Sequence, residues 1–137
     1  MNIPTPEMMV IFKSITPRAE YRAVLEGMRG EEGAYFAETV EKMVNVWKAM
    51  PVTYGTDGQG REALAGMHYF TGGCDWWIVE KDSDTDGDGQ IQAFGVADLG
   101  QGCREIGYIN LVELLAAGAE LDFHYTPMTV GDILKGG

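Results

Sequence analysis

The chain has 137 residues, 45% hydrophobic and 23% charged, with a formal net charge of −11. That length suits a single domain, 1–137, able to bury a core without disulfide staples, and the longest apolar run, Met8–Phe12, is far too short to cross a bilayer. The charge is uneven: residues 1–50 carry seven acidic and six basic side chains, residues 51–137 fourteen acidic and four basic, so a field that repels phosphate backbones sits over the C-terminal part and direct binding to nucleic acid is disfavoured.

No basic segment followed by an apolar stretch opens the chain, so a cytoplasmic location is expected. Cys74 and Cys103 form no CxxC pair and are expected as reduced thiols. Thr5-Pro6-Glu7 is a helix start, with a capping hydroxyl, a proline at the first helical position and an acid at the positive end; one or two turns fit before Ser14. Thr16-Pro17 repeats the pattern and opens a second helix. Its apolar residues Tyr21, Val24, Leu25 and Met28 make one stripe, and Gly30 is expected to stop it in a left-handed conformation. A third helix runs from about Glu31 to Met50 on the stripe Phe36, Val40, Met43, Val44 and Trp47, and Pro51 ends it.

From Val52 to Leu64 the composition, including YGTDGQGRE, is that of a loop. Strands are predicted at Gly66–Phe70, Asp75–Glu80, Ile91–Asp98 and Glu105–Ile109, with a tight turn at Gly72-Gly73 and a second glycine turn over Leu99–Cys103. Trp76 and Ile78 point to one face of the second strand and Trp77 and Val79 to the other, which marks it as central. Asn110 caps a short helix, LVELLAAG, that Gly118 closes. Leu121, Phe123 and Tyr125 alternate with polar residues as a further strand, and Thr129 or Met128 starts a last turn, VGDIL. The expected architecture is α+β: N-terminal helices (1–50) packed on a mostly antiparallel sheet of about four to five strands (51–137), with one short helix inserted between late strands.

The loop joining the two central strands places Asp82, Asp84, Asp86 and Asp88 at alternate positions. Asp82-x-Asp84-x-Asp86-Gly87-Asp88 matches the first half of a calcium loop, but the twelfth position of that frame is Ala93, where a bidentate glutamate is needed. The loop therefore reads three ways: a solvated hairpin tip, an acidic patch shown to a protein, or a weak Ca²⁺ or Mg²⁺ site. His68, Cys74, Cys103 and His124 have spacings that match no closed zinc site. Glu80, Asp98, Glu105 and Glu113 are a conceivable carboxylate cluster for metal-assisted hydrolysis, without a recognisable metal motif. Tyr69, Phe70, Trp76 and Trp77 lack the interleaved lysines and arginines of a base-stacking platform.

The pattern HYF-x-GG-x-DWW-x-x-EKD, then QAFGVADLGQG-x-x-EIGYI-x-L-x-EL, then GAELDFHYTP, is similar to a family of bacterial domains of unknown function, over roughly Met50 to Leu134. The landmarks are Phe70, Trp76, Glu80, Phe94, Gly95, Asp98, Leu99, Gly100, Glu105, Gly107, Glu113, Leu114 and Asp122. Such domains occur in small phage- and plasmid-borne proteins and as modules of larger mobile-element proteins, so the resemblance implies a mobile-element setting and no particular reaction.

Charge and resemblance together lead to an expected function: a non-enzymatic, acidic protein-binding accessory factor of a mobile element. In its sharpest form it is a DNA mimic that inhibits a host nucleic-acid-targeting defence complex, CRISPR or restriction. The expected partner is a basic protein surface, met by Asp82, Asp84, Asp86, Asp88, Glu80, Asp98 and Glu105, with no resident cofactor. The alternative is a metal-assisted enzyme or a cation-binding structural module using the Asp82–Asp88 loop.

Overall fold

A computed structural model describes residues 3–83 and 90–136. Three helices come first: α1 (Pro6–Ile15), α2 (Arg18–Arg29) and α3 (Gly33–Ala49). The Thr5 hydroxyl accepts the Met8 N–H at 3.2 Å, the local cap the sequence signals. Helix α1 extends to ten residues, past Ser14. Thr16 does not cap α2; its hydroxyl donates to the Phe12 carbonyl and closes α1, while Pro17 stands at the α2 N-cap. Gly30 ends α2 in an extended conformation, φ −93°, not a left-handed one. The turn is tight for a different reason. A Cβ at Gly33 would lie 2.5 Å from the Met28 carbonyl oxygen, so only glycine lets α3 start that close to α2. Helices α1 and α2 both pack on α3.

The sheet-bearing part contains β1 (Leu64–Ala65), β2 (Met67–Thr71), β3 (Cys74–Glu80), β4 (Ala93–Asp98), β5 (Arg104–Ile109), α4 (Leu111–Ala116), β6 (Glu120–Leu121), β7 (Met128–Thr129) and α5 (Val130–Leu134). Five strands form an antiparallel sheet in the order β5-β4-β3-β2-β6, and β1 pairs with β7 in a small second sheet. The strand with two apolar faces, β3, is the central one. The fold is α+β, with helices on a five-stranded sheet and α4 inserted between β5 and β6.

The pleat divides β3 between two cores. Ile78, with Met67 and Tyr69 of β2 and Ala93 of β4, packs against Phe12, Val40, Val44 and Trp47 of the helices. On the opposite face Trp77 and Val79 meet Val96, Ala63, Ala65, Val130 and Ile133. Tyr69 is fully buried, and its hydroxyl donates to the Ile15 carbonyl, so the end of α1 is tied to the sheet. Lys81 caps α3 from the sheet side: its Nζ donates to the Trp47 carbonyl at 2.7 Å and lies 5.6 Å from the Trp47 ring.

The predicted strand through Leu121, Phe123 and Tyr125 is shorter than its alternation suggests. Asp122 turns the chain out of the sheet: its carboxylate accepts the His124 N–H at 2.9 Å. The late caps are as read, with Asn110 accepting the Glu113 N–H and Thr129 the Asp132 N–H.

Candidate functional site

A cleft of about 330 Å³ opens on the face of the sheet away from α1–α3, between β4, β5 and the loop that follows α3. Its walls are Tyr54, Phe94, Ile106 and Tyr108; Val79, Ala63 and Val130 lie deeper, Glu80 is polar and inward, and Asp57 and Arg61 are polar and exposed.

The position of Glu80 follows from a break in the sheet. Ile78 pairs with Gly95, but Glu80, not Val79, pairs with Phe94, so one extra residue is taken up in β3. Such a bulge turns neighbouring side chains toward one face, and Val79 and Glu80 both line the cleft. Glu80 is 5% exposed, and a buried carboxylate needs donors. The loop supplies three. Oε1 accepts the Tyr54 N–H at 2.9 Å, and Oε2 accepts the Thr56 N–H at 3.0 Å and the Thr56 hydroxyl. Backbone amides wrapped on an anion in this way form a nest; here the anion is part of the chain.

The nest has a conformational cost. Tyr54 has φ +67°, the one positive φ among the described residues that are not glycine. A tyrosine held there is strained by about 1 kcal/mol. That conformation sets the aromatic ring at the cleft mouth, 66% exposed, beside Tyr108, whose phenol the neighbouring Tyr54 hydroxyl raises above its usual pKa. Tyr108 in turn meets the Phe94 ring edge-on, centroids 5.7 Å apart at 70°. The result is a pair of steeply inclined aromatic walls beside a buried carboxylate. Quadrupole faces and a fixed negative charge together suit a cation with an apolar stem.

A second polar cluster lies on the same face at β2. His68 Nε2 stands 2.8 Å from Asp75 and Nδ1 3.0 Å from Asp122, while the ring stacks 5.2 Å from Trp77. Each ring nitrogen thus faces a carboxylate, one on β3 and one just after β6, so the group fastens β6 and the following turn to the sheet. Nearby, Arg104 binds Asp98 through Nε at 3.0 Å, donates to the Ile133 carbonyl and lies 4.8 Å from the Trp77 ring.

The residues singled out from sequence do not collect in one place. Glu80 is inside the cleft wall. Asp82 is buried at the neck of the acidic loop, where its carboxylate accepts the Gln92 N–H at 3.0 Å and its backbone N–H donates to Gln90. Asp98 is paired with Arg104, and Glu105 is exposed on β5. Asp84, Asp86 and Asp88 lie outside the described residues. Among the described residues no three histidine, cysteine or acidic side chains gather closely enough to hold a metal. The carboxylates Glu80, Asp98, Glu105 and Glu113 are thus not a cluster, nor are His68, His124 and the two free thiols. Sequence reasoning did not reach Tyr54, Thr56, Asp57, Arg61 or Tyr108. The available signals were a lone aromatic in a glycine-rich loop and, at Ile106 and Tyr108, large apolar side chains two apart on an exposed strand.

No curated protein and no solved structure was found to match the chain. Residues 59–126 match a family model described as a protein of unknown function, DUF2958. The match begins later and ends earlier than the resemblance read from the sequence. It takes in Glu80, Phe94, Ile106 and Tyr108 but leaves out Tyr54, Thr56 and α5, so the cleft is completed by segments on either side of it. Over residues 59–126, then, the chain is similar to DUF2958, an uncharacterised family.

Proposed function

We propose that this protein is a non-enzymatic, acidic binding module that captures a cationic side chain of a protein partner in the cleft between Tyr54 and Tyr108. One observation carries the reading: two crossed aromatic walls and a buried carboxylate share a cleft, in the part of the chain that holds nearly all the excess negative charge. An ammonium or guanidinium placed over such a ring gains about 0.5–2 kcal/mol, most when desolvated. Long-range attraction brings it there. Arg61, exposed beside the cleft, selects against a densely basic occupant at close range and favours one inserted cation with uncharged neighbours.

The mobile-element setting rests on the family resemblance. Within that setting the partner is a host protein that presents one exposed lysine or arginine among uncharged neighbours. Of the acidic residues expected to meet it, Glu80, Asp82 and Asp98 are hydrogen-bonded inside the fold and Glu105 is exposed, and the cleft is the described feature that can receive a single cation.

The test is titration with short peptides of equal length holding one arginine, one citrulline or one glutamate at the centre, followed by amide and tyrosine ring NMR shifts. The arginine peptide is expected to shift Tyr54, Phe94 and Tyr108, to weaken with salt and to be lost in Tyr108→Ala. Equal binding of the citrulline peptide, or no shift at all with arginine, would overturn the reading.

A further inference from the structure

We infer that the partner is held as an added β-strand along the outer edge of β5, which delivers its cationic side chain into the cleft; this rests on the cleft reading above. Strand β5 is the end of the five-stranded sheet, and among the described residues no strand pairs with its far side. Its six residues pair with β4 in an unbroken register from Ala93↔Ile109 to Asp98↔Arg104. A regular edge strand leaves alternate N–H and C=O groups pointing outward, and such edges are usually blunted by a proline, a lysine or a bulge. Strand β5 has no proline, lysine or bulge, its charged residues Arg104 and Glu105 stand together at its start and leave Ile106–Ile109 uncharged, and the bulge of the sheet lies between β3 and β4.

The side chains of this edge are as unusual as its backbone. Ile106 is 49% exposed and Tyr108 59% exposed, and both line the cleft. A strand laid beside β5 places every second side chain on that face, next to Ile106 and Tyr108. On the other face the space at Gly107 is open: a Cβ there would meet nothing within 4 Å. Main-chain bonds then provide affinity and the cleft provides selection.

Charge decides between occupants. A second copy of the chain could pair edge to edge, but it would bring a net −11 against −11. An extended segment with an isolated cation and β-branched neighbours suits both the field and the edge.

The experiment uses the full chain and a short Thr/Val peptide with one central arginine, together with two N-methylated forms. Each form is methylated on alternate residues, so that each blocks one peptide edge. Methylation of the paired edge is expected to weaken binding about tenfold or more, and methylation of the other edge to leave it unchanged. Amide exchange along Arg104–Ile109 is expected to slow in the complex. If both methylated peptides bind like the parent, strand addition fails while the cleft reading stands. If the parent peptide does not bind, both fail together. A concentration-dependent dimer with slowed exchange in β5 would assign the edge to a second copy and overturn the proposal.

Discussion

The Glu80 carboxylate holds the backbone N–H of Tyr54 at 2.9 Å, across 26 positions of sequence, and with Thr56 it folds the loop after α3 onto the sheet. This contact joins a bulge in a central strand to an aromatic ring at the protein surface. It makes the cleft a consequence of a buried charge instead of a gap between elements.

Replacing Glu80 with alanine removes an acceptor for three donors, leaving the Thr56 N–H, in a buried residue, without its partner. Loss of a buried hydrogen-bonded charge is expected to cost about 2–4 kcal/mol. Glu80→Gln keeps one acceptor oxygen and is expected to cost less than the alanine variant. Urea unfolding measures the cost, and amide exchange at Tyr54 and Thr56 locates it. A loop that stays protected in Glu80→Ala would separate the cleft from the carboxylate.

Tyr54 gives a prediction in which stability and binding move in opposite directions. Glycine adopts φ +67° without the steric cost that tyrosine bears. The ring of Tyr54 is mostly exposed, so its removal forfeits little packing. Tyr54→Gly is therefore expected to raise stability by about 0.5–1 kcal/mol while weakening the central-arginine peptide. Paired urea melts and peptide titrations check it; a variant that is both less stable and equally competent to bind would show that the strain serves no recognition.

How much of this was legible in the sequence depends on how far apart the interacting residues lie. Thr5, Asn110 and Thr129 cap helices within three residues of themselves, and Pro51 ends α3 by its own ring, so these features could be read locally. The central place of β3 was legible because Trp76-Trp77-Ile78-Val79 is apolar on both faces. The β1–β7 pair was not, since two residues per strand carry no periodicity. Nor was the end of β6, where one Asx turn at Asp122 outweighs the alternation of Leu121, Phe123 and Tyr125. The cleft was hidden most deeply. Glu80 reads only as one carboxylate of a cluster or of an acidic surface until the loop bearing Tyr54 and Thr56 is brought to it, and a one-residue bulge leaves no mark on composition.

Arg104 makes three kinds of contact at once: Nε to Asp98, a second nitrogen to the Ile133 carbonyl, and a guanidinium plane over Trp77. An ammonium cannot reproduce that fork, so Arg104→Lys is expected to cost about 1–2 kcal/mol and to loosen α5 first. Asp98 is held below its usual pKa first by the Gly100 N–H and then by Arg104. A lowered carboxylate pKa contributes stability above its unfolded value and loses it as pH falls through the folded one. The gap between wild type and Arg104→Lys should accordingly narrow in acid. Urea melts across the acid range, with amide exchange at Ile133–Lys135, would read both effects; an equal gap at every pH would deny the coupling.

Glu20 makes the molecule respond in the opposite sense. Its Oε1 accepts the Leu121 N–H at 2.8 Å and so ties α2 to β6. Burial raises its pKa from 4.5 to about 7, opposed by the Leu121 N–H and assisted by the negative charges of Glu120 and Asp122. Because the folded value lies above the unfolded one, the contribution is fully present below about pH 4.5 and is lost as pH rises through about 7. Glu20→Gln preserves the acceptor and cannot ionise. It should match wild type near pH 4 and exceed it near pH 8 by about 1–2 kcal/mol, a figure reduced for partial solvent access. Removing any acid also relieves the net charge of −11, so the exposed Glu26→Gln on the same helix is the control. A pH-independent difference for Glu20→Gln, or an equal gain in Glu26→Gln, would place the effect in overall charge and not in the burial of Glu20.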